Sequence, residues 1–141
     1  MNFEELRNKH EREISSWSNG KIFWIFASSE TEFLNKLDEL NLKPDALRAI
    51  GAGGYILKEY TSEFHEIINR HFDEKKEYTL NNIYEVVKYY LWDFEMEISI
   101  SMTLKELLED FLDLSQEQIK QNATEINRAI DDYKKEFYEC N

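Results

Sequence analysis

Cysteine and proline are nearly absent from this sequence of 141 residues, which contains only Cys140 and Pro44 of these types. A single cysteine excludes an intrachain disulfide, so the fold does not depend on an oxidising compartment. The longest apolar run, residues 22–27, is far shorter than the roughly 20 residues of a membrane-spanning helix. Residues 1–5 are not followed by the apolar region of a signal peptide. We therefore expect a cytoplasmic protein that does not bind membranes.

Positive charge is also scarce, since 17 Lys and Arg residues stand against 29 Asp and Glu, for a net charge of −12. Binding to nucleic acid needs clustered Lys and Arg, so we expect no direct contact with DNA or RNA. The acidity serves solubility alone, or it forms a face that docks on a protein partner with a basic surface. The aromatic content of 14% is high, and Tyr and Trp are well suited to interfaces.

The sequence lacks the motifs of familiar catalytic and metal sites. The three histidines, His10, His65 and His71, have no i, i+4 spacing between them, and Cys140 has no neighbouring ligand. Zinc sites need such clusters, so no metal is expected. No nucleophile motif of the G-x-S-x-G type is present. We therefore expect a protein that is not an enzyme and carries no cofactor.

Three of the four glycines fall in one short segment, 51–54. A phosphate-binding P-loop requires Lys and Ser or Thr directly after the glycines, and Tyr55 follows them here. The segment therefore predicts a tight turn between two strands. A backbone anion site remains as an alternative, and its residues would be Arg48, Gly51, Gly53, Gly54, Tyr55 and Lys58.

Hydrophobic periodicity predicts an α+β fold in a single domain over residues 1–141. Strands are expected near 21–27 and 55–58, and about five or six helices cover the small sheet. The 21–27 segment is apolar on both faces, which is typical of a central strand. Apolar spacing predicts a helix from about Ile83 to Phe94, and a short helix that begins at a Thr103–Glu106 capping box. Residues 92–102 fit both a helix and a strand, so a third strand at 96–101 is an alternative. Residues 73–77 are charged and are expected to form an exposed connection.

A helix over 115–138 is predicted to begin at a Ser115–Gln118 capping box, and it carries apolar residues at heptad spacing. This seam could join a second copy of the chain into a homodimer, although we favour packing within the domain. Its residues are Ile119, Ala123, Ile126, Ile130, Tyr133 and Phe137.

Three short segments together resemble a group of small uncharacterised phage and bacterial proteins. They are Ile-Phe-Ala at 25–27, Ile-Gly-Ala-Gly-Gly-Tyr-Ile at 50–56 and Tyr-Tyr-Leu-Trp-Asp-Phe-Glu at 89–95. No activity is established for that group, so the resemblance transfers no catalytic residue. It implies a small accessory protein of a phage or mobile element.

Together these features favour a small, acidic, non-enzymatic interaction protein. It would inhibit a host or defence protein, such as a nucleic-acid-binding protein of CRISPR type, through an acidic surface rich in aromatic residues. One alternative is a binder or sponge for a small anionic ligand or nucleotide at the 51–54 loop. Another is a homo-oligomeric structural protein joined through the heptad seam. The predicted acidic surface comprises Asp93, Glu95, Glu97, Glu106, Glu109, Asp110 and Asp113.

Overall fold

The computed structural model describes residues 1–94 and 103–140, and the chain divides into two compact units. Glu4–His71 forms the first, here called the sheet unit. Met1–Phe3 and Phe72–Asn141 form the second, here called the helical unit. The predicted α+β class is confirmed, because the described residues are mostly helical with one small antiparallel sheet. The single domain that the sequence predicts over 1–141 stays a prediction.

The sheet unit contains three short strands, which pair in the order β1-β3-β2. Two short 3₁₀ turns, Pro44–Ala46 and Lys58–Tyr60, flank the second and third strands. The strands are β1 (Ile22–Trp24), β2 (Leu47–Gly51) and β3 (Gly54–Leu57). The helices of this region are α1 (Phe3–Ser18), α2 (Glu30–Glu39) and α3 (Thr61–Asn81), the last of which continues into the helical unit.

Strand β1 is shorter than predicted, and it lies at the edge of the sheet rather than at its centre. Trp24 pairs with Gly54, the first residue of β3, so no partner strand extends beyond that point. The N–H of Ile25 still donates to the Gly53 carbonyl at 2.8 Å, within the turn. Apolar residues on both faces of the 21–27 segment correctly predicted a strand. The prediction of a central strand was wrong, because Trp24 and Phe26 are exposed rather than covered.

The glycine segment forms the predicted hairpin turn. Gly51 pairs with Gly54, and a bulge separates this pair from the pairing of Ala49 with Tyr55. Ala52 and Gly53 occupy the two central turn positions with φ of 51° and 82°. Positive φ at both positions is the signature of a type I′ turn, whose twist matches that of the strands. Glycine adopts this conformation without strain, whereas alanine does not.

Helix α2 packs against one face of the sheet. Leu37 of this helix is buried with Leu47 of β2, and the Phe33 ring lies 5.1 Å from that of Tyr55. Ser29 caps the helix by accepting the N–H of Glu32 at 3.1 Å. These apolar contacts and this cap explain why the segment is helical here.

Helices α1 and α3 run antiparallel in the sheet unit. The Trp17 ring lies 5.9 Å from that of Phe64, and its Nε1 donates to Glu63 at 2.8 Å. Residues 73–77, predicted as an exposed connection, belong to α3 instead. The Lys75 ammonium from this stretch lies 5.3 Å from the centroid of the Tyr90 ring. This cation–π contact places the stretch against an aromatic core residue, where charge alone indicated an exposed loop.

The helical unit is built on a buried core from α4 and its neighbours. Its elements after α3 are α4 (Ile83–Asp93), a π-helix (Glu106–Phe111), α5 (Gln116–Gln121) and α6 (Ala123–Cys140). The buried residues are Phe3, Ile83, Val86, Val87, Tyr90, Leu91, Leu107, Leu108, Leu112, Leu114, Ile126, Ala129 and Tyr133. The alternative strand at 96–101 lies outside the described residues.

The short helix after Thr103 is a π-helix rather than the α-helix that its periodicity predicted. The Leu112 N–H donates to the Leu107 carbonyl at 2.9 Å, five residues back. The wider turn allows Leu107, Leu108 and Leu112 all to be buried in the core. Asp113 then ends the element with φ of 53°.

The predicted single helix over 115–138 is two helices in the structure. Helix α5 starts at the predicted Ser115–Gln118 capping box and ends at Gln121, with Asn122 as its C-cap, and α6 begins at Ala123. The heptad pattern continued across this break, so it did not reveal that Asn122 ends α5. Ile126 and Tyr133 of the seam are buried in the core of the helical unit, and Ile119, Ile130 and Phe137 pack against it.

Replacing Ala52 with Asn should stabilise the protein, because Asn tolerates the left-handed conformation of a type I′ turn better than Ala. The expected gain is about 0.5–1 kcal/mol in the free energy of unfolding, measured by urea denaturation. The same substitution at exposed Ala49, within β2, should destabilise the protein, since Asn is unfavourable in strands. Equal effects of the two variants would contradict the turn assignment.

Candidate functional site

Helix α4 has one buried face and one face that lines a groove. The fully buried side chains Val86, Val87 and Tyr90 occupy the first face. The second face forms an open groove of about 580 Å³ in the helical unit. The groove is lined by Tyr84, Glu85, Lys88, Tyr89, Trp92 and Asp93. We call this surface the α4 groove.

Helix α6 holds the lining side chains in place. The hydroxyl of Tyr84 donates to Asp132 at 2.5 Å, and Lys88 donates to Glu136 at 2.5 Å. These partners recur every four residues on both helices, so α4 and α6 run in the same direction with their side chains in register. The network fixes the rotamers of two residues that line the groove before any partner arrives.

Trp92, the next residue at a spacing of four on α4, is also held by side chains of α6. The Trp92 ring lies 5.1 Å from that of Tyr133 in an edge-to-face arrangement. Its Nε1 donates to Glu136 at 3.3 Å, while 36% of its surface remains exposed. A ring that is fixed on one side and open on the other provides a pre-formed contact surface.

The ionisable groups of this network perturb one another's pKa values. The hydrogen bond to Asp132 raises the pKa of Tyr84, and the hydrogen bond to Glu136 raises the pKa of Lys88. The same contact with Lys88 lowers the pKa of Glu136. Lys88 therefore remains charged and Tyr84 neutral near pH 7, which suits a structural ion pair rather than proton transfer.

Two carboxylates line the α4 groove, and they differ in their surroundings. Glu85 accepts the backbone N–H of Phe3 at 2.8 Å and also the hydroxyl of Tyr78. Asp93 is exposed and forms no ion pair within residues 1–94 and 103–140. Asp93 is therefore the carboxylate of this groove that is open to a ligand.

Charge is distributed unevenly between the two units. Residues 72–141 contain 17 Asp and Glu but only 8 Lys and Arg, whereas residues 4–71 contain 12 and 9. Most of the net charge of −12 thus belongs to the helical unit, which also contains the α4 groove. Such a charge attracts cationic partners at long range.

The predicted acidic surface maps mostly to the helical unit, and several of its members contact neighbours there. Glu109 accepts from Gln116, and Asp113 pairs with Lys76 at 3.1 Å. Glu106 accepts a hydrogen bond from the Thr103 hydroxyl, whereas Asp110 is exposed on the π-helix. Glu95 and Glu97 lie outside the described residues.

The predicted anion loop is covered on one side by two aromatic rings of β1 and its extension. A Cβ at Gly54 would lie 2.7 Å from the Trp24 ring, and one at Gly53 would overlap the Phe26 ring. Arg48 and Lys58 are exposed, and Tyr55 packs on Phe33. The glycines therefore make room for aromatic rings, a role that the sequence pattern did not reveal.

The predicted oligomer seam contributes mainly to the interior of the helical unit. Of its six residues, Ala123 is exposed, at the first position of α6. The other five are buried in the core or packed against it. A second copy would therefore find little of this seam accessible.

A cluster of ionisable residues joins α1 to α3 in the sheet unit. His10 and His71 stack with ring centroids 4.0 Å apart, and His71 Nε2 hydrogen-bonds with Glu13 at 2.9 Å. Arg70 also donates to Glu13. Hydrogen bonds from His71 and Arg70 hold the pKa of Glu13 at about 2, well below its usual value of 4.5. The cluster is a contact between two helices, and the lowered pKa of Glu13 makes its stability depend on pH in the acid range.

No family model, no curated protein and no solved structure matches this chain. The resemblance to small phage and bacterial proteins therefore stays a prediction. Within residues 1–94 and 103–140, no helix has both the length and the apolar character needed to cross a membrane. No group of three or more metal-ligating side chains is found in the same ranges.

Sequence reasoning identified only Asp93 among the residues of the α4 groove. Tyr84, Lys88 and Trp92 recur at spacings of four, and this stripe could have been recognised on the helix opposite the apolar face. The ambiguity between helix and strand after Trp92 obscured it. Their partners on α6, forty or more residues away, have no signal in the sequence.

Acid should weaken the contact between α1 and α3, and Glu13→Gln should remove part of this sensitivity. The Glu13 carboxylate contributes stability above pH 4.5, its unfolded pKa, and this contribution is lost as pH falls towards about 2. The variant should be less stable than wild type at pH 7 and similar to it at the acid end. Thermal unfolding followed by circular dichroism from pH 7 to pH 2 measures this difference.

The matched control is Glu11→Gln, an exposed position on the same helix. This variant should retain the acid dependence of the wild type. If both variants lose stability with pH in parallel, the contact of Glu13 with His71 and Arg70 does not contribute as described.

Proposed function

We propose that the protein is a non-enzymatic interaction protein that binds a basic segment of another protein in the α4 groove. The observation that supports this most directly is the composition of the groove, where Tyr84, Tyr89 and Trp92 lie beside the exposed carboxylate of Asp93. Aromatic faces attract Arg and Lys side chains, and a nearby carboxylate strengthens the attraction. The same helical unit carries a large excess of acidic residues.

A cationic contact of this kind already exists at one end of the groove. The guanidinium of Arg128 lies 3.7 Å from the centroid of the Tyr84 ring. This arrangement within the chain supports the idea that these rings can accept a cation. The rings of Tyr89 and Trp92, further along α4, would contact the Lys and Arg side chains of the partner.

The rigidity of the groove favours binding over catalysis. Lys88 and Tyr84 are held by Glu136 and Asp132, and their pKa values are shifted away from neutrality. A general acid or base works best when its pKa is near the working pH. Pre-organised side chains instead lower the entropy that is lost when a partner binds.

The class of partner follows from the charge. A protein that binds nucleic acid carries clustered Lys and Arg, which could contact the carboxylates of the helical unit in place of phosphates. Occupying that site would block the nucleic acid and so inhibit the partner. We propose a host or defence protein of this kind as the target of a phage or mobile-element product.

Binding of a fluorescein-labelled oligoarginine peptide tests the groove, with fluorescence anisotropy as the measurement and oligoglutamate as the negative probe. Trp92→Ala should weaken binding by about tenfold, because it removes a cation–π contact that is largely shielded from water on one side. Asp93→Asn should weaken it by a smaller factor, roughly two- to fivefold, as expected for an exposed ion pair.

Two matched variants distinguish binding in the α4 groove from binding through the net negative charge of the protein. Asp110→Asn makes the same charge change at an exposed position of the π-helix, and Trp24→Ala removes an exposed tryptophan from the sheet unit. Both should leave the affinity within about twofold of the wild type. If Asp110→Asn weakens binding as much as Asp93→Asn, the peptide binds through net charge and the groove is not the site.

A further inference from the structure

The turn between α1 and β1 contains Asn19-Gly20, the one place in the sequence where an asparagine precedes a glycine. The Lys21 N–H donates to the Ser18 carbonyl at 2.8 Å, which closes a four-residue turn. Gly20 has a φ of 74°, whereas the φ of Asn19 is negative. A positive φ at the third position alone defines a type II turn, where glycine is preferred. The geometry of this turn therefore favours glycine after Asn19.

Both amide groups of this dipeptide are open to water. Asn19 and Gly20 are exposed. Within residues 1–94 and 103–140, no hydrogen bond engages the Asn19 side chain or the Gly20 N–H. A Cβ built on Gly20 would meet no atom within 4 Å among the described residues outside its chain neighbours. The Asn19 side chain can therefore reach the Gly20 nitrogen without displacing another group.

This arrangement favours a reaction within the chain. Asparagine is among the thermolabile residues of proteins. Its side-chain carbon and the nitrogen of the next residue close a five-membered ring when they join. Glycine at that next position has no Cβ to crowd the approach, and it leaves the backbone free to rotate. Asn19 has these conditions together with exposure.

We propose that Asn19 is a site of spontaneous deamidation through a cyclic imide. The Gly20 nitrogen loses its proton to hydroxide and attacks Cγ of Asn19. The new N–Cγ bond forms while the Cγ–Nδ2 bond breaks, and Nδ2 takes up a proton and leaves as ammonia. Water then opens the imide. Cleavage of the N–Cγ bond gives aspartate, and cleavage between this nitrogen and the main-chain carbonyl carbon of Asn19 gives isoaspartate. One water is consumed for each ammonia released.

Both products change the chain at the entry to β1. Each replaces a neutral amide by a carboxylate, which adds one negative charge to the net charge of −12. Isoaspartate also inserts a CH₂ group into the main chain of the turn, directly before Lys21, whose carbonyl accepts from the Leu57 N–H at 3.0 Å. The reaction needs no partner and does not involve the α4 groove, so it stands independently of the proposed function.

Asn41 provides a comparison within the same unit. It is also exposed, and it lies in a turn with a φ of 57°. The residue that follows is Leu42, whose N–H donates to the Leu37 carbonyl at 2.9 Å. The nitrogen after Asn41 is therefore engaged in a hydrogen bond, and the leucine side chain crowds it. Asn41 should resist deamidation although it is as accessible as Asn19.

Mass spectrometry of the aged full chain tests the proposal, after incubation in neutral buffer below the unfolding temperature. Trypsin releases the peptides 13–21 and 37–48, each of which contains a single asparagine. Asn19 should deamidate faster than Asn41 by about tenfold or more. The product should contain both aspartate and isoaspartate, which an isoaspartyl methyltransferase distinguishes. The rate should rise from pH 6 to pH 8, because the attacking nitrogen must lose its proton.

Two variants and one peptide serve as controls, with circular dichroism as the check on folding. Asn19→Gln should leave this position intact, because the longer side chain closes a ring less readily. Gly20→Ala should slow the reaction by about tenfold, since its Cβ crowds the approach. A free peptide of residues 13–21 gives the rate without the fold, and the folded chain should react at a comparable rate.

The comparison of Asn19 with Asn41 needs no variant, so it decides the matter even if Gly20→Ala does not fold. Equal rates at the two positions would overturn the proposal. If Asn19 stays intact in the folded chain while the free peptide reacts, the turn protects the site and the proposal is wrong.

Discussion

The burial of α4 is the constraint on which the helical unit depends. Val86, Val87 and Tyr90 are almost completely shielded from water, and Phe3, the π-helix and α6 all contribute to the same core. Burying one face of an amphipathic helix determines where its opposite face lies. The α4 groove is therefore a consequence of core packing, since its lining residues are those that the core leaves outside.

Contacts with α6 order the side chains on the face of α4 that lies outside the core. Tyr84 and Lys88 each contact a carboxylate of α6, and Trp92 packs on Tyr133. Partly exposed ion pairs contribute little to stability individually. Their importance here is geometric, because they hold rings and charges at set positions and so reduce the entropy lost on binding.

In the sheet unit, the hairpin turn is the feature that positions neighbouring elements. Its positive φ values bring β2 beside β3, and its glycines leave room for the rings of Trp24 and Phe26. A single local feature thus pairs β2 with β3 and leaves room for two large aromatic rings. The α4 groove is lined by three aromatic and three charged side chains, and it belongs to the unit that carries most of the negative charge.

The sequence by itself determined the local elements: the α+β class, the hairpin at 51–54, the capping box at Ser115 and the helix beginning at Ile83. These depend on propensities, caps and periodicities that operate within a few residues. Tertiary structure alone decided that β1 is an edge strand, that the helix after Thr103 is a π-helix and that Asp132 and Glu136 meet Tyr84 and Lys88. Such pairings join residues that are distant in sequence, and their free energy comes from packing in three dimensions, which has no local pattern.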